Sequence, residues 1–93
     1  MKLPINYETA TKWFRRKARL QYVELQEGKC AHCHESLDGP ATKEIEDSYI
    51  NLKLFPPGML DNPVHLHHCH VTGMTIGAVH ARCNAYLWQY RGE

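Results

Sequence analysis

The sequence predicts one small α+β domain, in which a helix near the N-terminus is followed by a β-hairpin and a second helix. Three observations support this fold. Apolar residues recur at helical spacing between residues 8 and 27, residues 63–68 alternate between apolar and polar, and a helical pattern begins near residue 81. The 93 residues fit a single domain spanning 1–93, and a chain this short often needs a staple besides its core.

The first helix is expected over residues 8–27. Asn6 is a candidate N-cap and Gly28 a natural stop, and four residues at spacings of three and four form an apolar face: Phe14, Ala18, Tyr22 and Leu25. Beside them runs a basic stripe: Lys12, Arg15, Arg16 and Arg19. Such a stripe is typical of a solvated face, or of a surface that positions a protein on nucleic acid phosphates.

Charge is distributed unevenly along the chain, although the net charge is only +1. Residues 1–29 contain seven Lys or Arg against three acidic residues, whereas residues 30–61 contain two against six. The basic N-terminal part therefore favours a polyanionic partner.

The cysteines indicate metal rather than disulfides. There is no signal-peptide pattern and no apolar run near the roughly 20 residues that a membrane span requires, so we expect a cytoplasmic chain without a membrane partner. Thiols stay reduced in that compartment. Two disulfides would be the alternative in a secreted protein, and a redox-active Cys-x-x-Cys would need a βαβ context that is missing here.

Two segments with matched spacing predict a structural zinc site. Cys30 and Cys33 form a Cys-x-x-Cys pair, and His80 and Cys83 repeat the spacing at the junction between the second strand and the last helix. Together these four residues, here called the zinc clamp (30–33 and 80–83), would form a closed Cys₃His site. Zinc would then supply much of the folding free energy. Cys69 belongs to neither pair, and its thiol would be a competing ligand for the metal ion.

The hairpin is expected to consist of strands 63–68 and 75–79, with Gly77 permitting close backbone approach. Val64 and Leu66 would occupy one face of the first strand, and His65 and His67 the other. The aromatic residues of the last helix are expected to belong mainly to the core rather than to a base-stacking platform. Tyr86, Leu87 and Tyr90 would pack inward, and Trp88 would cap the core.

The histidine-rich end of the hairpin has the parts needed for phosphodiester hydrolysis. His67 and His68 lie opposite the N-terminus of a helix that carries Asn84. A neutral imidazole can act as a general base, and a divalent ion stabilises the charge that develops on an attacked phosphate. A second structural zinc site, or a histidine patch without chemistry, is the alternative interpretation.

Residues 66–87 resemble the HNH (His-Me finger, ββα-metal) nucleases, most closely the phage recombination endonuclease VII group. The motif of that group runs Leu-Asp-His-x-His-x-Thr-Gly, then a strand Gly, Cys-x-x-Cys-Asn and a later Leu. Its positions fall here on Leu66, His67, His68, His70, Thr72, Gly73, Gly77, His80, Cys83, Asn84 and Leu87. Together with the upstream Cys-x-x-Cys, the resemblance covers residues 28–90.

The resemblance implies a small zinc-stapled ββα-metal domain, with its core over residues 63–91 and a long N-terminal helix. His68 would be the general base, His67 and Asn84 would hold a catalytic divalent ion, and His70 would support the site or contact phosphate. The partner would be DNA, with a homodimer or a further protein partner as possibilities, and the source would be a phage or prophage in a bacterial host.

Three positions differ from the family pattern. His67 replaces Asp, and because imidazole is the softer ligand, we expect Mn²⁺, Co²⁺ or Ni²⁺ to serve better than Mg²⁺. His80 replaces a zinc-binding Cys. Ile76 replaces an Arg, whose phosphate contact would fall to Arg82 or to the basic stripe.

These observations predict a metal-dependent endonuclease that nicks or cuts DNA. One alternative is a catalytically inactive, zinc-stabilised DNA-binding module, and another is a host-protein-binding module that needs zinc only to fold. His68 and Asn84 distinguish the first function from the others, because zinc-dependent folding requires neither. Dependence of DNA affinity on the basic stripe and on salt distinguishes the two alternatives from each other.

Overall fold

The computed structural model describes residues 1–92, so Glu93, the last residue of the expected domain, lies outside the described part. The chain combines helices with a two-stranded antiparallel sheet. In chain order the elements are α1 (Lys12–Leu25), the short helix α2 (Lys43–Asp47), a 3₁₀ turn (Leu52–Leu54), β1 (Val64–His68), β2 (Thr75–His80) and α3 (Ala81–Arg91). None of the helices in the described part is long and apolar enough to cross a membrane.

Helix α1 begins four residues later than the 8–27 interval predicts, and it ends at Leu25. Thr11 is the N-cap, with its hydroxyl accepting the Phe14 N–H at 3.2 Å. Asn6, the expected cap, instead closes a preceding turn by accepting the Glu8 N–H at 2.9 Å. Both side chains are able to cap a helix, and the turn holds the chain before residue 12 out of the helix.

The inward face of α1 differs in part from the expected apolar face. Ala18 is fully buried and Tyr22 packs against the core, but Phe14 and Leu25 are 46% and 67% exposed. Arg15 occupies an inward position instead, with its guanidinium carbon 3.9 Å from the centre of the Tyr7 ring. The basic stripe therefore faces the hairpin.

The hairpin forms where the alternation predicts it, with β2 one residue longer than expected. The strands pair from Val64 opposite His80 to His68 opposite Thr75, and a bulge lies between His67 and His68. The extra residue is Ile76 of β2, which has no partner on β1. At the turn, Gly73 has a φ of +78° and donates its N–H to the Cys69 carbonyl at 2.8 Å.

A segment near the N-terminus, not expected from the sequence, pairs with the hairpin turn and the start of β2. The Tyr7 N–H donates to the Gly73 carbonyl at 2.8 Å, and the Thr75 N–H donates to the Ile5 carbonyl at 2.9 Å. The Ile5 N–H in turn donates to the Thr75 hydroxyl at 3.0 Å. The N-terminal segment of residues 5–8 is thereby fixed beside the end of β1 that carries His68.

Gly77 permits the close approach that the sequence predicts. The Gln26 side chain pairs with the Ala78 backbone, accepting its N–H and donating to its carbonyl at 2.9 Å each. A Cβ atom at Gly77 would lie 2.9 Å from the Gln26 Oε1 and 3.0 Å from the Ala31 Cβ. The C-terminal end of α1 and the first cysteine turn therefore both pack directly on β2.

Helix α3 follows β2 without a loop, and Leu87 is buried as expected. The expectation of an inward Tyr90 is wrong, because its side chain is 51% exposed. Its hydroxyl donates to the Tyr49 carbonyl at 2.6 Å, so the ring lies across the surface of the loop before the hairpin. The buried cluster that supports both strands has seven members: Cys30, Leu37, Ala41, Ile45, Ala78, Val79 and Cys83.

Candidate functional site: a zinc clamp and a histidine-lined groove

The four residues of the zinc clamp come together in the fold. Their ligand atoms all lie within 4.8 Å of one another, and among the described residues they form the group suited to a metal ion. The His80 Nδ1 lies 3.3 Å from the Cys33 sulfur and 3.7 Å from the Cys83 sulfur. Sulfur and nitrogen ligands of one tetrahedral zinc ion lie about 3.5–3.8 Å apart, so the set fits that ion.

The Nε2 atom of His80 determines the tautomer of the ring, and thereby leaves Nδ1 available to bind metal. This Nε2 lies 2.8 Å from the Ser36 carbonyl, to which only a protonated Nε2 can donate. The Nδ1 lone pair then points toward the sulfurs. A carbonyl in this outer position orients a metal-binding histidine and increases the basicity of the ligand nitrogen.

Hydrogen bonds from backbone N–H groups and from a neighbouring thiol stabilise the thiolate form of Cys30 in the zinc clamp. A hydrogen bond from Cys83, together with backbone N–H groups such as that of His32, lowers the pKa of Cys30 to about 3. The same hydrogen bond raises the pKa of Cys83, which therefore holds the proton of the pair until a cation displaces it.

All four cysteines are free thiols, and Cys69 lies outside the clamp. The clamp thus provides four protein ligands and leaves no position open for a substrate, which is the arrangement of a structural site.

Asn84 connects α3 to two histidines of β1. Its Oδ1 lies 3.3 Å from the His67 Nδ1, and its Nδ2 lies 3.1 Å from the His65 Nδ1. Burial lowers the pKa of His65, and the charge of nearby Arg19 acts in the same direction, so the ring is neutral and accepts the amide proton. His65 therefore turns the amide oxygen of Asn84 toward His67, which is 5% exposed.

His68 lies beyond the bulge and is held by the N-terminal segment. The Tyr7 ring stacks on the imidazole at a centroid distance of 3.9 Å and an angle of 5°. Glu8 Oε1 lies 3.7 Å from His68 Nε2. Burial and the charge of neighbouring His70 lower the pKa of His68, while Glu8 acts in the opposite direction. The imidazole is therefore neutral at physiological pH and able to accept a proton.

A groove of about 560 Å³ runs between α1 and the hairpin. One wall carries the whole basic stripe, and the other carries His65, His68 and Asn84. We call it the basic groove. Arg15 lines it but also donates from its Nε to the Tyr7 carbonyl at 2.9 Å, so part of its hydrogen-bonding capacity serves the fold.

Arg82 lies elsewhere. Its Nη2 donates to the Ser48 carbonyl at 2.8 Å, and its Nε is 3.5 Å from the Glu46 carboxylate. It does not belong to the lining of the basic groove. The sequence predicts that five cationic residues contact phosphate. The four on α1 lie beside the histidines of the groove, whereas Arg82 lies apart from those histidines.

A second cavity, of about 330 Å³, also adjoins the histidines, and its lining residues all lie outside α1. We call it the aromatic pocket. His70 lies at its edge with its ring centre 4.8 Å from that of His68, and the pocket shares His68, Asn84 and Met59 with the basic groove. Its other lining residues are Leu54, Phe55, Pro56 and Trp88.

Comparison of the chain with protein-family models, with curated proteins and with solved structures gave no match in any of the three.

The sequence predicts no role at these sites for three residues, and it predicts that a fourth, Trp88, caps the core, whereas Trp88 is 41% exposed and lines the aromatic pocket. Tyr7 and Glu8 contact His68 only because residues 5–7 pair with the hairpin, and this pairing leaves no local pattern in the sequence. The alternation of β1 predicts which face of the strand carries His65, but the bond of His65 to Asn84 depends on strand–helix packing. The sequence does indicate that Trp88 lies near the site, because it is an aromatic residue four positions after Asn84 and thus on the same side of α3.

Proposed function

We propose that the protein is a metal-dependent HNH endonuclease that hydrolyses DNA phosphodiester bonds. One observation carries this proposal: His68, Asn84 and the four basic residues of α1 line a single groove. A base, a candidate metal ligand and a row of cations are thus collected where a phosphate backbone would lie.

His68 is the general base in this proposal. Its lowered pKa leaves the imidazole unprotonated, and stacking on Tyr7 fixes the plane of the ring. The unprotonated ring nitrogen would accept a proton from a water molecule as that water attacks phosphorus. Protonation makes the imidazole positive, and Glu8, 3.7 Å away, stabilises that charge.

His67 and Asn84 would hold the catalytic divalent ion. Their nearest nitrogen and oxygen are 3.3 Å apart, a separation that suits two ligands of one ion. The bound ion would supply charge stabilisation at the attacked phosphate and its leaving oxygen. The imidazole ligand favours Mn²⁺, Co²⁺ or Ni²⁺, so cutting rates in a metal titration should be lowest with Mg²⁺. A clear preference for Mg²⁺ would remove His67 from this role.

Phosphates on both sides of the cleaved bond would be held by the basic stripe. Lys12 and Arg16 are exposed side chains of the groove wall, so they are available to a DNA strand. These contacts do not distinguish one sequence from another, which predicts weak sequence specificity.

The test is conversion of supercoiled plasmid to open circle by the wild type and by His68→Asn. Assays contain Mn²⁺, Mg²⁺, Zn²⁺ or EDTA. His34→Asn is the matched control, because His34 is exposed, lies outside the groove, and has a φ of 67° that asparagine tolerates. Zinc content and circular dichroism establish that each variant is folded.

The wild type and His34→Asn should nick the plasmid with added metal and stop in EDTA, whereas His68→Asn should be slower by about 10²–10⁴-fold. Equal rates for the two asparagine variants would contradict the proposal. An intact plasmid with all three folded proteins would instead favour the inactive DNA-binding module, which gel-shift titrations at two salt concentrations would then test.

A further inference from the structure

We propose that the aromatic pocket binds an unpaired nucleobase of the DNA strand whose phosphate lies at His68. This inference rests on the proposed function, and it specifies the substrate as DNA with at least one unpaired nucleotide beside the cut.

The pocket has the chemistry of a stacking site. Trp88 is 41% exposed although it lies on a helix that packs against the hairpin, and its ring centre is 5.5 Å from that of Phe55 at an angle of 66°. Leu54, Pro56 and Met59 complete a largely apolar wall. Every base has a π face that can stack on such a surface, whatever its sequence.

Three residues supply the polar lining of the pocket. His68, His70 and Asn84 provide hydrogen-bonding atoms beside an otherwise apolar cavity, and His68 and Asn84 also line the basic groove. An apolar site with a few convergent polar groups is typical of a small planar ligand held in one orientation.

Charge complementarity identifies the ligand as part of a nucleic acid. The basic groove and the aromatic pocket meet at Met59, His68 and Asn84. A polymer with anionic links and aromatic side groups matches this pair of cavities, since its phosphates would lie along α1 and an adjacent base would enter the pocket. Neither cavity alone would distinguish such a polymer from other anions or other apolar ligands.

The occupant has to be unpaired. In a regular duplex each base is stacked and paired in the interior, so a side chain can reach its face only after the base leaves the stack. Single strands, bulges and frayed ends remove that cost. We therefore expect cutting of a duplex with one extra unpaired nucleotide to be faster than cutting of the fully paired duplex.

Tryptophan fluorescence tests binding without requiring cleavage. The chain has two tryptophans, so Trp13→Phe leaves Trp88 as the reporter and Trp88→Phe leaves Trp13, which is 58% exposed on α1 and lines neither cavity. Both variants also carry His68→Asn to prevent cutting. The probes are a single-stranded oligothymidylate and an abasic strand of the same length, which have the same charge but differ in bases.

Oligothymidylate should quench Trp88 and bind about five- to a hundredfold more tightly than the abasic strand, whereas Trp13 should respond equally to both. Quenching of Trp88 by the abasic strand, or binding of both strands without a difference, would overturn the inference.

A cleavage experiment separates this inference from the proposed function. In the active protein, Trp88→Ala should lower kcat/KM on the bulged duplex by about five- to a hundredfold, Trp88→Phe should restore most of it, and Trp13→Ala should have no effect. Nicking without Trp88 quenching would reject the base site and keep the nuclease. Quenching without nicking would keep the base site and reject the nuclease, and failure to bind either strand would reject both.

Discussion

The protein has two clusters of histidine and cysteine that differ in how completely they are enclosed. In the zinc clamp, four ligand atoms lie within 4.8 Å of one another and three of the four residues are buried. Two histidines of β1, His65 and His68, instead line open cavities, whereas His67 is buried and lines neither of them. His70 follows the strand and is exposed at the second cavity. A closed set of ligands suits a structural ion, whereas histidines that share an open groove with cations suit a reaction.

The two clusters also differ in what orients their side chains. His80 is held by a backbone carbonyl, that of Ser36, within the turn that follows the first cysteine pair. His68 is held by the side chains of Tyr7 and Glu8, which belong to a separate segment of chain. Both contacts join segments that are far apart in the sequence, since Ser36 is 44 residues from His80. The difference is that a main-chain group orients the clamp histidine, whereas side chains orient the groove histidine.

The largest effect should follow loss of a clamp ligand. Cys83→Ser should abolish zinc binding and cooperative folding, because structural zinc contributes about 10–16 kcal/mol in zinc-finger peptides and a whole domain is stable by only about 5–15 kcal/mol. Zinc content and thermal unfolding followed by circular dichroism measure this. Cys69→Ser is the matched control and should keep one zinc ion. Loss of zinc from Cys69→Ser alone would mean that the ligand set is different.

Asn84→Ala should separate the two clusters. Nicking should fall by about a hundredfold or more, since a catalytic ion contributes several kcal/mol, but zinc content and fold should be unchanged. In Asn84→Asp an oxygen ligand is retained, so activity should survive and shift toward Mg²⁺, which prefers carboxylates. Plasmid nicking over a range of metal concentrations measures both. Wild-type cutting by Asn84→Ala would show that the groove works without this ligand.

Neutralising the exposed part of the basic stripe should change the salt dependence of DNA binding. For Lys12→Gln with Arg16→Gln, the slope of log Kd against log salt should decrease by about 1.8, at 0.9 for each lost phosphate contact on a duplex. Fluorescence anisotropy at several salt concentrations gives the slope. Lys43→Gln with Lys53→Gln removes the same charge outside the groove, and an equal change in that variant would indicate general attraction only.

The smallest effect should come from the contact that orients His68. Tyr7→Ala should slow nicking by about two- to tenfold, the equivalent of one stacked aromatic pair, whereas Tyr7→Phe retains the ring and should cut at nearly the wild-type rate. Single-turnover nicking rates at saturating metal measure the difference. A similar loss in both variants would assign the effect to the hydroxyl group rather than to stacking.

The clamp and the hairpin could be predicted because their signals are local. A spacing of three residues places two ligands on one turn, and strict alternation over residues 63–68 describes a strand whatever it packs against. The limits of β1, β2 and α3 agree with the expected ones to within a residue. The presence of a group suited to zinc followed directly from the cysteine and histidine spacing.

The wall of the basic groove could not be predicted, because it depends on contacts between distant segments. Arg15 seemed suited to solvent, yet it lies inward because Tyr7 provides both a ring face and a carbonyl for its guanidinium. Phe14 seemed suited to the core, yet it is exposed because residues 5–8 and the hairpin occupy the other side of the helix. Helical periodicity identifies a face but does not identify what will pack on it.

The pairing of residues 5–7 with residues 73–75 has a consequence for synthesis of the chain. The hydrogen bond between Ile5 and Thr75 joins positions 70 residues apart. The N-terminal segment leaves the ribosome first, but it can pair with the hairpin only after residue 75 has also emerged. A nascent chain presents the basic helix well before it presents His68, and Tyr7 and Glu8 reach the imidazole only when the hairpin has emerged. If the proposed function holds, the basic helix is exposed to RNA phosphates before His68 is in place, so a nascent chain carries no assembled site.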